Sequence, residues 1–154
     1  MKKLLFIFLT VIFFSCNHNL LYQKKIHLEA PFVWHKDSVY NFFFEHQAQN
    51  TKADLWLNLR HELHYPYHNI YLFLTKISPS GVMQIDTLQF YLQNPETGEY
   101  YGKGYTKILS THFLLQEKEF NEQGTYQFLI QHGMRDSLLP GVVDLGFEIE
   151  RSTP

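Results

Sequence analysis

Apolar and polar residues alternate along most of this chain. In residues 38–46 (SVYNFFFEH), Tyr40, Phe42 and Phe44 share one side while Asn41 and Glu45 take the other. In residues 54–60 (DLWLNLR), Leu55, Leu57 and Leu59 oppose Trp56, Asn58 and Arg60. The same period of two groups Ile70, Leu72 and Leu74, then Tyr126, Phe128 and Ile130, then Val143, Leu145, Phe147 and Ile149. Successive side chains of a strand point to opposite sides of its sheet, so this period predicts β-strands. Turn residues separate the runs: Pro66, residues 78–81 (SPSG), residues 94–98 (NPETG) inside an aromatic-rich pair, and Pro140-Gly141. Gly supplies positive φ and Pro presets φ, so the chain reverses at such places. Residues 106–120 (TKILSTHFLLQEKEF) have apolar spacing too poor for a helix and predict a strand plus a loop. Seven or eight short strands joined by turns predict an all-β fold over residues 31–151, a single antiparallel β-sandwich of Ig-like or jelly-roll-like type. Phe43, Trp56, Tyr71 and Phe73 make the second faces apolar too. That predicts either a thick core or an exposed aromatic patch, and such patches mark partner or ligand surfaces.

The first residues break the pattern. Lys2 and Lys3 precede an apolar run from Leu4 to Phe14, interrupted by Thr10, and then Ser15 and Cys16. This is the form of a secretory signal peptide over residues 1–15. The run is too short to span a bilayer, which takes roughly 20 apolar residues. Phe13-Phe14-Ser15-Cys16 is an imperfect lipobox, with Phe13 where leucine is usual, and it predicts an acylated Cys16 as the mature N-terminus. Residues 16–30 show no sustained periodicity and predict a tether between lipid and domain. Without residues 1–15 the 13 Lys and Arg fall to 11 against 15 Asp and Glu, a net charge of −4. That is no footprint for nucleic acid, which requires a basic patch. Cys16 is the single cysteine, so no intrachain disulfide forms and stability rests on a core. A domain of this size buries roughly two-thirds of its unfolded surface.

Candidate chemistry centres on residues 60–70 (RHELHYPYHNI), with His61, His64 and His68 around Glu62. A zincin helix requires His-Glu-x-x-His, and His61-Glu62-Leu63-His64 is one residue short. His64 and His68 have a helical spacing, but Pro66 between them breaks a helix. On a strand, His61 and His64 face opposite sides. The three histidines are therefore weak metal candidates in a polar connection between strands. No G-x-S-x-G nucleophile elbow occurs, Gly102-Lys103-Gly104 lacks the remaining glycines of a phosphate loop, and Glu117 and Glu119 share one strand face. The sequence carries no enzyme signature and implies no cofactor beyond the lipid on Cys16.

Several segments together resemble the gliding-motility lipoprotein GldH family of the Bacteroidetes. They are Arg60 with Tyr65-Pro66-Tyr67-x-Asn69-Ile70-Tyr71-Leu72-Phe73; Asp86-Thr87-Leu88; Gly98 and Gly102-Lys103-Gly104; Gly124-x-Tyr126-x-Phe128; Gln131-x-x-Met134-Arg135; and Gly141-Val142-x-Asp144-Leu145-Gly146. The resemblance runs from Cys16 to about Arg151, and His132-Gly133 departs from the family pattern before Met134. It implies an outer-membrane envelope lipoprotein, without catalytic chemistry, that serves gliding and type IX secretion beside other envelope lipoproteins. The leaflet follows from residues 17–25 (NHNLLYQKK), which hold no acid. Surface-exported lipoproteins of these bacteria carry acidic residues there, so the expectation is the periplasmic leaflet.

Within that resemblance Arg60, Tyr65, Tyr67, Asn69, Tyr71 and Arg135 are the candidate partner-binding residues. Pro66 and Asn69 equally suit a turn with Tyr65 and Tyr67 packed beside it. Arg60 and Arg135 could each fork onto a carboxylate, with Asp86 or Asp144 as candidates. Gly102, Gly104 and Gly146 predict bulges or close backbone approach. Asp37-Ser38-Val39, Asp86-Thr87-Leu88 and Asp136-Ser137-Leu138 resemble a Bacteroidetes O-glycosylation acceptor, making Ser38, Thr87 and Ser137 candidates. Two functions compete: a docking lipoprotein using an aromatic sheet face, and a carbohydrate-binding sandwich using Trp34, Trp56, Tyr100 and Tyr101. Coplanar exposed aromatics with polar neighbours favour sugar, while a broad apolar patch with a polar rim favours protein.

Overall fold

The computed structural model describes residues 19–48 and 50–152. The signal peptide, Cys16 and the start of the tether lie outside the described residues. Among the described residues ten strands follow in order: β1 (Leu20–His27), β2 (Val33–His35), β3 (Tyr40–His46), β4 (Thr51–Glu62), β5 (Asn69–Ile77), β6 (Met83–Tyr91), β7 (Ile108–Phe120), β8 (Gly124–His132), β9 (Leu138–Pro140) and β10 (Val142–Arg151). The eight long strands form two antiparallel four-stranded sheets, ordered β1-β10-β4-β7 and β3-β8-β5-β6, while β2 and β9 pair as a small third sheet. In each sheet an early strand lies beside a late one, β1 by β10 and β3 by β8, and two middle strands follow. That order is the jelly roll, the second of the two expected sandwich types.

The inner faces carry the residues that alternation placed together. Leu55, Leu57 and Leu59 of β4 meet Ile70, Leu72 and Leu74 of β5 in the core, all at most 1% exposed. Phe147 of β10 is the meeting point of the two sheets: its ring centroid lies 5.0 Å from both Phe42 of β3 and Phe128 of β8. Trp34 on β2 and Leu139 on β9 cover one end of the sandwich, and both are fully buried. The Trp34 indole N–H donates to the Ser38 carbonyl at 3.1 Å, so the one polar atom of this large side chain is satisfied. That burial removes Trp34 from any sugar-stacking surface.

Two segments differ from their sequence reading. Residues 20–27 are not tether but strand β1, paired with β10 from Leu20↔Glu150 to His27↔Asp144. Tyr22 and Ile26 pack against the core, but Lys24 stands between them and hides the period. Its ammonium lies 6.0 Å from the Phe42 ring centroid, within reach of a cation–π contact. Residues 108–120 form one continuous strand in place of a strand and a loop. Opposite it, Leu55 pairs with Gln116 and Trp56 with Leu114, which leaves Leu115 as an extra residue. A β-bulge of this kind shifts the phase of alternation. Thr111 and Leu115 are buried before the shift and Phe120 after it, so no single period describes the segment.

The loop before β7 depends on absent side chains. A Cβ on Gly102 would lie 2.6 Å from the Thr111 hydroxyl, and one on Gly104 would overlap the Ile108 carbonyl. These are close backbone approaches, and Lys103 between them pairs with Ser110 on the edge of β7.

Truncating the end plug tests this account of the core. Trp34→Ala should lower unfolding free energy by about 3–5 kcal/mol, the range for a buried large aromatic. Phe43→Ala, removing a side chain 51% exposed, should stay within about 0.5 kcal/mol. Urea unfolding followed by near-UV circular dichroism distinguishes the two.

Candidate functional site

Tyr65, Tyr67, Tyr71 and Arg135 are gathered at one end of the β3-β8-β5-β6 sheet, where β5 begins and β8 ends. The join is made by backbone: the Gly133 N–H donates to the Tyr71 carbonyl at 2.7 Å, and the Tyr71 N–H points at the Met134 sulfur at 3.3 Å. Gly133 has to be small there, because a Cβ would press the Phe73 ring at 3.1 Å and Tyr71 Cβ at 3.3 Å. Tyr67, Tyr71, Gly133, Met134 and Arg135 then line a groove of about 530 Å³. Tyr65 lies buried behind it, edge-on to Tyr67 at 6.1 Å, and donates its hydroxyl to the Asn69 carbonyl at 3.1 Å. Burial pushes the Tyr65 phenol far up. The Tyr67 hydroxyl donates to Asp136 at 2.7 Å, and that bond to a carboxylate raises its pKa. Arg135 is exposed at the rim. Tyr65 and Asn69 therefore build the turn, while Tyr67, Tyr71 and Arg135 face outward from it.

Arg60 belongs elsewhere. It lies on the outer face of the β1-β10-β4-β7 sheet, 3.2 Å from Asp144 of β10. Lys25 of β1 reaches the same carboxylate oxygen at 3.2 Å, and His27 stands 3.8 Å away. The Asp144 side chain is 2% exposed, so two cations from the flanking strands compensate one buried anion. Asp86, the other proposed arginine partner, pairs instead with Lys76 at 2.7 Å. Lys76 occupies an inward position of β5 and also bonds Gln116 of β7.

The histidines do not converge. His61 is buried on β4 between Tyr65 and Tyr100, at ring distances of 5.7 and 6.2 Å. His64 is exposed, and His68 bonds Gln93. Among the described residues no three His, Cys, Asp or Glu side chains are placed to hold a metal ion. The sugar-stacking candidates are scattered as well. Trp34 is core, Trp56 lies on the opposite sheet stacked on His112 at 4.6 Å, and Tyr100 and Tyr101 sit in the loop after β6. Of the acceptor candidates, Ser38 is half-buried, Thr87 is exposed in mid-strand on β6, and Ser137 is exposed just before β9.

The larger feature is the outer face of the β3-β8-β5-β6 sheet. Cross-strand register sets Phe43 opposite Gln127 and Leu129 opposite Thr75. It also sets Ile85 opposite Thr75, and Phe73 opposite both Thr87 and Gln131. Tyr71, Phe73, Phe43, Ile85 and Met83 on this face are 38–63% exposed. Polar pairs lie among them on the β3–β8 side: Thr125 with Glu45 at 2.6 Å, Gln127 with Asn41 at 3.2 Å, and Gln131 with the Lys36 carbonyl at 2.6 Å. Tyr71 is shared with the groove, so face and groove are continuous. Met83 and Ile85 escaped the sequence reading, although their alternation with Gln84 and Asp86 was visible. Their outward direction depends on the β5–β6 register.

The GldH lipoprotein family pattern matches residues 21–149. A gliding motility lipoprotein GldH homolog of Christiangramia forsetii is 33% identical over 156 residues, covering 96% of this chain and 94% of that protein. Gliding motility lipoprotein GldH of Flavobacterium johnsoniae is 30% identical over 148 residues, covering 92% and 91%. Among solved structures, a serine protease of Aeromonas sobria aligns with 86% of this chain and 27% of its own, at 11% identity and a TM-score of 0.32.

Buried histidines supply a pH prediction. Burial lowers the pKa of His61 and of His132, which packs edge-on to Trp34 at 5.3 Å. An unfolded histidine protonates near pH 6.5 while these resist, so the unfolded chain gains protons first. Stability is full above about pH 6.5 and falls as pH drops from there towards the folded pKa values. Urea midpoints measured between about pH 7.5 and 5.5 should fall for the natural chain, and the fall should shrink in His132→Gln.

Proposed function

The chain belongs to the GldH lipoprotein family, a family of gliding motility lipoproteins, and from that premise we propose that it is a non-catalytic docking component of the gliding and type IX secretion machinery. In this reading an acyl group on Cys16 holds it in the periplasmic leaflet of the outer membrane. The jelly roll presents its apolar sheet face to other envelope lipoproteins. The observation that supports the reading most is the group of exposed apolar side chains on one sheet face, Phe43, Tyr71, Phe73, Met83 and Ile85, since exposed apolar patches mark interaction sites. Phe73 in mid-strand and Tyr71, where the face runs into the groove, are the anchors, because desolvated aromatic side chains dominate binding energy. The adjoining groove, with Tyr67, Met134 and Arg135, accepts a protruding side chain and offers a guanidinium to a carboxylate. The mechanism is binding and positioning, with no turnover.

Arg60 takes a structural part in this proposal. It neutralises a buried carboxylate on the far sheet and does not border the docking face. The carbohydrate reading loses its platform, since its four aromatics occupy three separate regions. Glycosylation is proposed at Ser137 alone, the candidate that is exposed and outside regular strand. An intact mass of protein from the native host, equal to the bare acylated chain, would exclude it.

Crosslinking in intact cells followed by mild-detergent capture tests the docking reading. The natural chain should bring down envelope lipoproteins crosslinked through the sheet face. Phe73→Asp should lose them while unfolding at the natural midpoint. Arg60→Ala should keep them and lose stability, on the order of 1–2 kcal/mol for a partly solvated pair. Recovery of the natural chain alone, or capture unaffected by Phe73→Asp, overturns the proposal. Protease added to intact cells should spare the protein, and ready digestion refutes the periplasmic placement.

A further inference from the structure

The two large sheets have four edges, and three of them are guarded. β1 carries Lys24 and Lys25, and the Lys24 ammonium reaches the Asn41 carbonyl of β3 at 3.5 Å, so those two edges close on each other. β7 exchanges two backbone hydrogen bonds with Lys103 through Ser110, at 3.0 and 2.9 Å, and continues into Glu117-Lys118-Glu119. Lysines, charge runs and covering segments are the devices by which natural sheets prevent a foreign strand from adding to an edge.

β6 has none of them. It is nine residues long, MQIDTLQFY, without Pro, Lys or Arg, and among the described residues pairs in unbroken register with β5 alone. Its one charged residue, Asp86, is held by the inward-facing Lys76. The apolar side chains beside this edge are also unusually bare. Val82, Met83 and Ile85 are 60, 58 and 63% exposed, and among the described large apolar residues only Tyr105 exceeds them.

We propose that β6 is an interface for a second copy of this chain, joined strand to strand in antiparallel fashion about a two-fold axis through Thr87. The strand is suited to meeting itself. Around Thr87 the pairing sets Met83 opposite Tyr91, Ile85 opposite Gln89, and Thr87 opposite Thr87 on the outer face. On the inner face it sets Gln84 opposite Phe90 and Asp86 opposite Leu88. No charge meets its like, and threonine pairs and aromatic–apolar pairs across strands are favourable. The contact is isologous and closes after two copies. It satisfies the free backbone donors and acceptors of both edges and covers the barest apolar residues. It also joins two four-stranded sheets into one of eight strands, with the two apolar outer faces side by side. Anchoring both copies to one membrane raises their effective concentration. The inference rests on the edge and stands whether or not the sheet face docks a partner.

Thiol crosslinking of the full lipoprotein in native membranes tests it. Thr87→Cys adds a thiol on the two-fold axis, and Glu96→Cys adds one on an exposed turn away from the edge. The natural chain, with Cys16 alone, controls for any thiol outside the domain. Mild oxidation should give a species of twice the chain mass from Thr87→Cys and not from the other two. Separately, Thr87→Lys places two ammonium groups face to face and should shift the solubilised protein from dimer to monomer mass in sedimentation, with unchanged far-UV circular dichroism. The proposal is overturned by a Thr87→Cys yield no higher than that of Glu96→Cys, or by a crosslink to a different polypeptide. Monomer mass for the natural chain, or a glycan on Thr87 in the native protein, overturns it equally.

Discussion

The structure depends on strand β10 lying between β1 and β4 with Phe147 turned into the sandwich. Phe147 is within 5.0 Å of Phe42 and Phe128 on the opposite sheet, and 6.1 Å from Tyr22 on β1. Four strands from four parts of the chain therefore meet at one ring. Aromatic contacts of this geometry contribute about 0.5–1.5 kcal/mol each beyond area burial. With one cysteine in the chain, no disulfide supplements them. The last strand has to be in place before the core is complete, which makes the C-terminal segment structural and not an appendage.

The same strand governs the opposite side of its sheet. Asp144 is nearly inaccessible there, and a buried carboxylate is tolerated only when it is compensated. Compensation comes from Lys25 on one neighbour and Arg60 on the other, both at 3.2 Å. Further along, Glu148 accepts from Gln23 of β1 at 2.8 Å and approaches His112 of β7 at 3.4 Å. These contacts run across all four strands, so the outer face of this sheet spends its polar groups on itself. It locks the register of β1 and leaves few free groups for a partner.

The other sheet is the reverse case. Its inner face holds Phe42, Phe128, Leu72 and Leu74 in the core, but its outer face also carries exposed apolar side chains, Phe43, Tyr71, Phe73, Met83 and Ile85, set among polar neighbours. A sheet apolar on both sides is stable as a free surface only at a cost in exposed hydrocarbon. The two sheets thus divide the work: one is stabilised by ionic contacts on its outside, and the other presents unsatisfied apolar area. The docking reading and the strand-edge inference both draw on the second sheet, one on its face and one on its border.

Period two in the sequence was enough for an all-β sandwich, because alternation is a local property of extended backbone. The turn positions, the shared face of the β4 leucines and the close approaches at Gly102 and Gly104 were equally legible. Where one residue disturbed the period, reading stopped: Lys24 concealed β1, and the extra Leu115 disguised β7 as a strand and a loop. The candidate site was half visible. Tyr67, Tyr71 and Arg135 were candidates through the family resemblance, yet nothing local could separate them from Arg60, whose partner is 84 residues away in sequence. Nor could composition decide that Trp34 plugs the core while Phe43 faces solvent, since both belong to alternating runs. The sequence by itself determined which residues share a strand face. Only the tertiary structure decided which face turns inward, which strands become edges and which charges meet, because those follow from registers between segments as distant as Lys25 and Asp144.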